Sequence, residues 1–178
     1  MRKRNELTDQ HPTHVRWHIL AILILILLVT AFGRLNLAIA GKFLQEEFHF
    51  TNEVAGWMLG AFAFGYAFFQ IPSGWAGDRY DPHGALTLAI LFWSTLAILM
   101  TLVPLTVGNS SWRRLAWAFV AVRFLTGAGE AASYPNANKI VGNWMAAGPR
   151  GIGSSLLLAG AGAGGVLAPI VFAGTIQQ

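Results

Sequence analysis

The chain has 178 residues, 54% of them hydrophobic and only 11% charged. A soluble domain carries about 25% charged residues, so the composition excludes an ordinary water-soluble fold and indicates a membrane protein. The formal charge is +4 and there are no cysteines; disulfides, thiol chemistry and cysteine metal sites are excluded, and no basic stripe on a soluble face suggests nucleic-acid binding.

Residues 1–16 form a basic, polar N-terminus. The apolar run that begins at Ile19 is too long for a signal-peptide core and has no small-residue cleavage site. It predicts an uncleaved spanning helix over 17–40. Further apolar segments predict helices over 54–76, 85–105, 115–144 and 152–176. Each is long enough to cross a bilayer at roughly 20 residues per span. Barrel strands would instead be about ten residues long with strict alternation. The expected fold is an all-α membrane bundle of five transmembrane helices over 17–176.

The connections are short. KFLQEEFHFTNE carries the acids Glu46, Glu47 and Glu53, and GDRYDPHG reads as a tight turn. TVGNSSWRR and MAAGPRG make the other two. Cytoplasmic loops carry an excess of Lys and Arg. A cytoplasmic N-terminus places Arg2, Lys3, Arg4, Arg16, Arg79, Lys139 and Arg150 inside, against Lys42, Arg113 and Arg114 outside. Arg113 and Arg114 go against the rule locally. Trp117 and Trp144 mark the two interfaces of the fourth helix, 27 residues or about 40 Å apart.

Two charges stand within that fourth helix. Arg123 and Glu130 are seven residues apart, about 20° around a helix. Gly127 and Tyr134 lie on the same stripe. A charge near the bilayer centre costs about 2.5–3.5 kcal/mol on insertion scales, so the stripe is expected to face protein or water. On the first helix Arg34, followed by Asn36, reaches a similar depth. One reading is a buried ion pair that fixes helix packing. The other starts from the count: two arginines against one carboxylate leave an excess positive charge suited to an anion. Glu130 is then the natural proton site, because desolvation and neighbouring arginines pull its titration in opposite directions.

Tyr66 and Gln70 share a face of the second helix at i and i+4, available to a solute or to interhelical hydrogen bonding. Pro72 is expected to kink that helix near its cytoplasmic end. Gly160 and Gly164 form a GxxxG step that predicts close helix packing. His14 and His18 are four apart, but nothing completes a metal site around them. GAGEAA is not a nucleotide loop, since no Lys-Ser/Thr follows; no cofactor motif and no enzyme signature is present.

The stretch GWAGDRY, 74–80, resembles the signature loop between helices two and three of the major facilitator superfamily. RFLTGAGEAASYPNANKIVGNW, 123–144, resembles the fourth helix of its anion:cation symporter family. GRLNLAIA, 33–40, and GYAFFQIPSGW, 65–75, are similar as well, so the resemblance covers roughly residues 15–170. It implies the N-terminal bundle of an alternating-access carrier in the cell membrane, moving sugar-acid-like or aromatic organic anions with a proton. It implies substrate or proton contacts for Arg34, Tyr66, Arg123 and Glu130, and a cytoplasmic gate at Asp78 and Arg79. Gly33 stands where many family members have aspartate. Asp81 replaces the loop glycine, and His83 its last basic residue. Members of the family have twelve helices in two six-helix halves, whereas about five are legible here. The expectation is an incomplete six-helix bundle: the N-terminal part of a transporter that assembles with a second polypeptide, or else a truncated, non-transporting fragment or a membrane interaction protein that needs a partner.

Overall fold

Within lipid every backbone N–H and C=O must be satisfied inside the chain, which leaves long apolar segments little choice but helix. A computed structural model describes residues 14–48, 50–107, 112–146 and 148–176. Arg2, Lys3 and Arg4 lie outside that set, as do part of the third connection and the side chains of Lys42, Glu46 and Glu47. No strand occurs among the described residues. The helices are α1 (Val15–Phe48), α2 (Asn52–Arg79), α3 (Pro82–Val107), α4 (Trp112–Glu130), α5 (Ser133–Trp144) and α6 (Arg150–Ile176). Among the described residues five segments are long and apolar enough to cross a membrane, with α4 and α5 together making one of them, Trp112–Trp144.

The sequence expectation ended the first helix at residue 40, but α1 continues to Phe48. The polar residues of 41–48 thus extend a helix beyond its apolar stretch instead of forming a loop. α2 runs through Pro72 to Arg79 without interruption. At its start the Thr51 hydroxyl accepts from Val54 N at 3.4 Å, the usual N-cap arrangement. The turn into α3 is closed by Asp81, whose Oδ2 accepts from Gly84 N at 2.7 Å. Pro82, the first residue of α3, needs no hydrogen-bond partner for its nitrogen.

The expected continuous helix over 115–144 is instead broken at Ala131 and Ala132. Pro135 supplies the cause: it has no N–H for the Ala131 carbonyl, and its ring crowds that carbonyl. The ladder tightens just before it, with Ala132 N bonded to Gly129 O at 3.4 Å rather than to the carbonyl one residue earlier.

Two apolar cores hold the bundle. One gathers Leu20, Leu23 and Leu27 of α1 with Leu86, Ala137, Ile140, Val141, Met145 and Leu157. The other joins Phe50, Met58, Val103, Leu115, Ala116 and Phe119. Arg34, Arg123 and Glu130 fall between these clusters along their own helices. Large apolar side chains such as Phe64, Phe68, Ile71, Leu88 and Ile170 are exposed, which suits a surface solvated by lipid.

Small residues set the two closest crossings. A Cβ added at Gly65 would stand 2.1 Å from the Phe124 carbonyl oxygen, and one at Gly127 would stand 2.2 Å from that of Phe62. α2 and α4 therefore touch backbone to backbone, without hydrophobic side chains between them. The GxxxG step makes the matching contact of α6 with α1: Gly160 lies against Ile24, and Gly164 against the Leu28 carbonyl.

Candidate functional site

The α2–α4 crossing decides what surrounds the buried charges. Arg123 and Glu130 are 5% and 3% exposed, and both lie on α4. Gly127, between them, lets α2 approach so closely that the Phe62 and Tyr66 rings of α2 reach the same layer. α1 then brings Arg34 from the other side.

Arg34 donates its Nε–H to Glu130 Oε2 at 2.9 Å. Its guanidinium lies 4.3 Å from the centre of the Tyr66 ring and 5.8 Å from that of Phe62. Arg123 makes no such pair among the described residues. Its guanidinium lies 4.8 Å from the centre of the Phe62 ring, and its Nε is buried without a hydrogen-bond partner. The Glu130 charge reaches it only through space. Two guanidiniums thus share one aromatic ring and one carboxylate, and the layer keeps a net positive charge. Ring faces stabilise cations, so Phe62 offsets part of the burial of both arginines. The Arg34 side chain is 35% exposed, so the layer is open on the α1 side.

Of the residues singled out from sequence, Arg34, Tyr66, Arg123 and Glu130 come together. The Gln70 side chain makes no hydrogen bond to them or to any other described residue, and its carbonyl accepts from Ser73 Oγ at 3.1 Å. Tyr134, expected on the Arg123–Glu130 stripe, packs instead against the apolar core around Leu20 and Ile140. The break at Ala131 and Ala132 takes it off the helical register that the stripe assumed. Phe62 was missed from sequence. Its spacing of four from Tyr66 was the available signal, hidden in an aromatic-rich run.

At the α2–α3 end, Asp78 pairs with Lys139 of α5 at 2.7 Å. Lys139 Nζ also donates to the Gly74 carbonyl. Arg79 lies over its own neighbour Trp75, 5.5 Å from the ring centre. Asn136, fully buried, sits against Gly77 and donates to Ala132 O at 2.8 Å. His83 meets Trp144 Nε1 at 3.3 Å. Of the two residues expected at a gate, Asp78 is thus tied to α5 through Lys139, a contact that links α2 to α5. No cluster of residues able to hold a metal ion occurs among the described residues.

Comparison with known proteins gives a consistent result. The family model described as Major Facilitator Superfamily matches residues 23–178. The chain is 32% identical over 143 residues to the probable galactarate/D-glucarate transporter GudP of Bacillus subtilis, covering 80% of this chain and 30% of that protein. It is 31% identical over 146 residues to the probable galactarate/D-glucarate transporter GarP of Escherichia coli K12, covering 80% and 31%. It is 28% identical over 156 residues to the probable sulfoacetate transporter SauU of Cupriavidus necator, covering 88% and 34%. The chain thus spans about a third of the length of these curated relatives.

Proposed function

Because this chain belongs to the major facilitator superfamily, we propose that it forms the N-terminal bundle of a carrier that moves a small organic anion together with a proton. The observation that carries this reading is Arg123: a guanidinium held in the interior over Phe62, with no ion-pair partner among the described residues. Such a group is poorly suited to fixing structure and well suited to receiving an anion. The relatives named for galactarate, D-glucarate and sulfoacetate indicate the class, a small carboxylate or sulfonate.

The proton step follows from the second arginine. Arg34 is held by Glu130. When Glu130 takes up a proton it becomes neutral and no longer competes for the Arg34 guanidinium. Arg34 then turns with Arg123 toward the anion, and each charged oxygen gains a guanidinium donor. Deprotonation of Glu130 restores the pair and weakens the hold on the anion. Anion and proton therefore bind together and leave together, which is the condition for symport.

In this reading Asp78, Arg79 and Lys139 close the cytoplasmic end of the bundle, and the N-terminus lies in the cytoplasm of a cell-membrane protein. The Lys and Arg distribution supports that orientation. The open side of the site faces a second helical bundle, supplied within a longer chain or by another polypeptide, as alternating access requires. The test is uptake of radiolabelled D-glucarate, galactarate and sulfoacetate into proteoliposomes under an inward proton gradient. At least one is expected to accumulate, and Arg123→Ala to abolish the accumulation. Accumulation that survives Arg123→Ala would refute the assignment.

A further inference from the structure

The face of the α2–α4 pair turned away from the charged layer carries a second feature. Phe64 is two residues from both Phe62 and Tyr66, so it points about 200° around the helix from them. Here an apolar trough runs between Trp57 and Phe64 of α2 and Trp117 and Phe124 of α4. Its floor is narrow in side chains: a Cβ added at Gly60 meets nothing within 4 Å.

At the end where α2 and α4 begin, the trough opens into a depression that also includes Thr51, Trp112 and Arg113. The two share Glu53, Trp57, Trp117 and Val120, so they form one continuous surface. Three exposed tryptophans, Trp57, Trp112 and Trp117, stand around it, and exposed tryptophans on a spanning bundle gather at headgroup depth. Glu53 and Arg113 lie here with no ion-pair partner among the described residues. First-turn residues of α2 and α4 both line this depression, and the two helix N-termini add a preference for negative charge.

We propose that this trough holds one phospholipid, with an acyl chain between α2 and α4 and a headgroup that carries both a phosphate and a primary ammonium. Arg113 and the helix N-termini receive the phosphate. Glu53 accepts hydrogen bonds from the ammonium. The charge pattern selects phosphatidylethanolamine. A choline headgroup has no N–H to give Glu53, and a glycerol headgroup sets its uncompensated negative charge beside that carboxylate.

Native mass spectrometry of the purified protein tests this, with equimolar dioleoyl phosphatidylethanolamine, phosphatidylcholine and phosphatidylglycerol in the detergent. Phosphatidylethanolamine should be retained about tenfold more than either competitor, the scale of one charge-assisted hydrogen bond. Glu53→Gln should remove the preference over phosphatidylcholine. Arg113→Gln should lower retention of all three lipids, and Gly60→Leu, which fills the trough, should do the same. Equal retention of the three by the unaltered protein would overturn the proposal, as would variants that leave the pattern unchanged. So would a dimer that Gly60→Leu dissociates, since the trough would then be a helix-docking surface.

Discussion

Arg34 on α1 donates its Nε–H to the Glu130 carboxylate on α4 across 2.9 Å, bridging two segments 96 residues apart in sequence. That bond takes up the carboxylate of the layer, and among the described residues Arg123 is left with the Phe62 face and no ion pair of its own. A structural ion pair would be complete without Arg123. The proposed exchangeable site needs both arginines, because the anion would take the place that the carboxylate gives up.

If Arg123 holds the anion, its geometry should matter as well as its charge. Arg123→Lys keeps the charge but loses the planar fork that meets two oxygens at once. Equilibrium binding of radiolabelled anion should weaken by about tenfold, the scale of one lost charge-assisted hydrogen bond. Unchanged affinity would mean that Arg123 contributes only a diffuse field.

Phe62 should act through both arginines. Phe62→Leu keeps the apolar volume roughly constant and removes the ring face. Cation–π contacts contribute about 0.5–2 kcal/mol each. The variant should therefore unfold at a lower temperature in detergent and bind anion less tightly, while Phe62→Tyr stays close to the parent. Equal behaviour of Leu and Tyr at this position would show that the ring stacking has no energetic weight.

The sequence made the spans, the charged layer and the signature loop legible, because each leaves a local mark: a long apolar run, a charge inside it, a turn rich in Gly and Asp. Phe62 left no such mark, since its role exists only where Gly65 and Gly127 let two backbones meet. Lys139 read as one more basic residue near a helix end; its pairing with Asp78 depends on where α5 falls after the break. The break itself was signalled by Pro135 and the polar residues beside it, outweighed by reading 115–144 as one long apolar segment. Tyr134 was misplaced for the same reason, because a helical-wheel argument carries a residue correctly only through unbroken helix.

The backbone contact of α2 and α4 predicts a sharp contrast among glycines. Gly127→Ala puts a methyl against the Phe62 carbonyl, and overpacking of that kind costs about 1–3 kcal/mol. Gly56→Ala meets nothing within 4 Å and should leave the unfolding temperature unchanged or slightly raised. Thermal unfolding monitored by tryptophan fluorescence separates the two. Similar midpoints for both variants would contradict the crossing described for α2 and α4.

Gly33 offers a gain-of-function test beside the site. It is exposed, and an added Cβ there meets nothing within 4 Å, so Gly33→Asp should fold normally. The new carboxylate adjoins Arg34 in sequence and adds a negative charge near it. Proton-driven uptake should then change its pH profile, while Gly33→Asn leaves the profile as in the parent. Identical profiles for Asp and Asn would show that a charge at position 33 does not reach the Arg34–Glu130 pair.

The central claim is that anion binding and protonation of Glu130 are one event. Calorimetric titration of the anion in buffers of different ionisation enthalpy counts the protons taken up on binding, by linkage. The account predicts uptake of up to about one proton per anion by the unaltered protein near neutral pH, and none by Glu130→Gln, which still binds the anion. Binding with no proton uptake by the unaltered protein at any pH between 5 and 8, or the same uptake by Glu130→Gln, would contradict it.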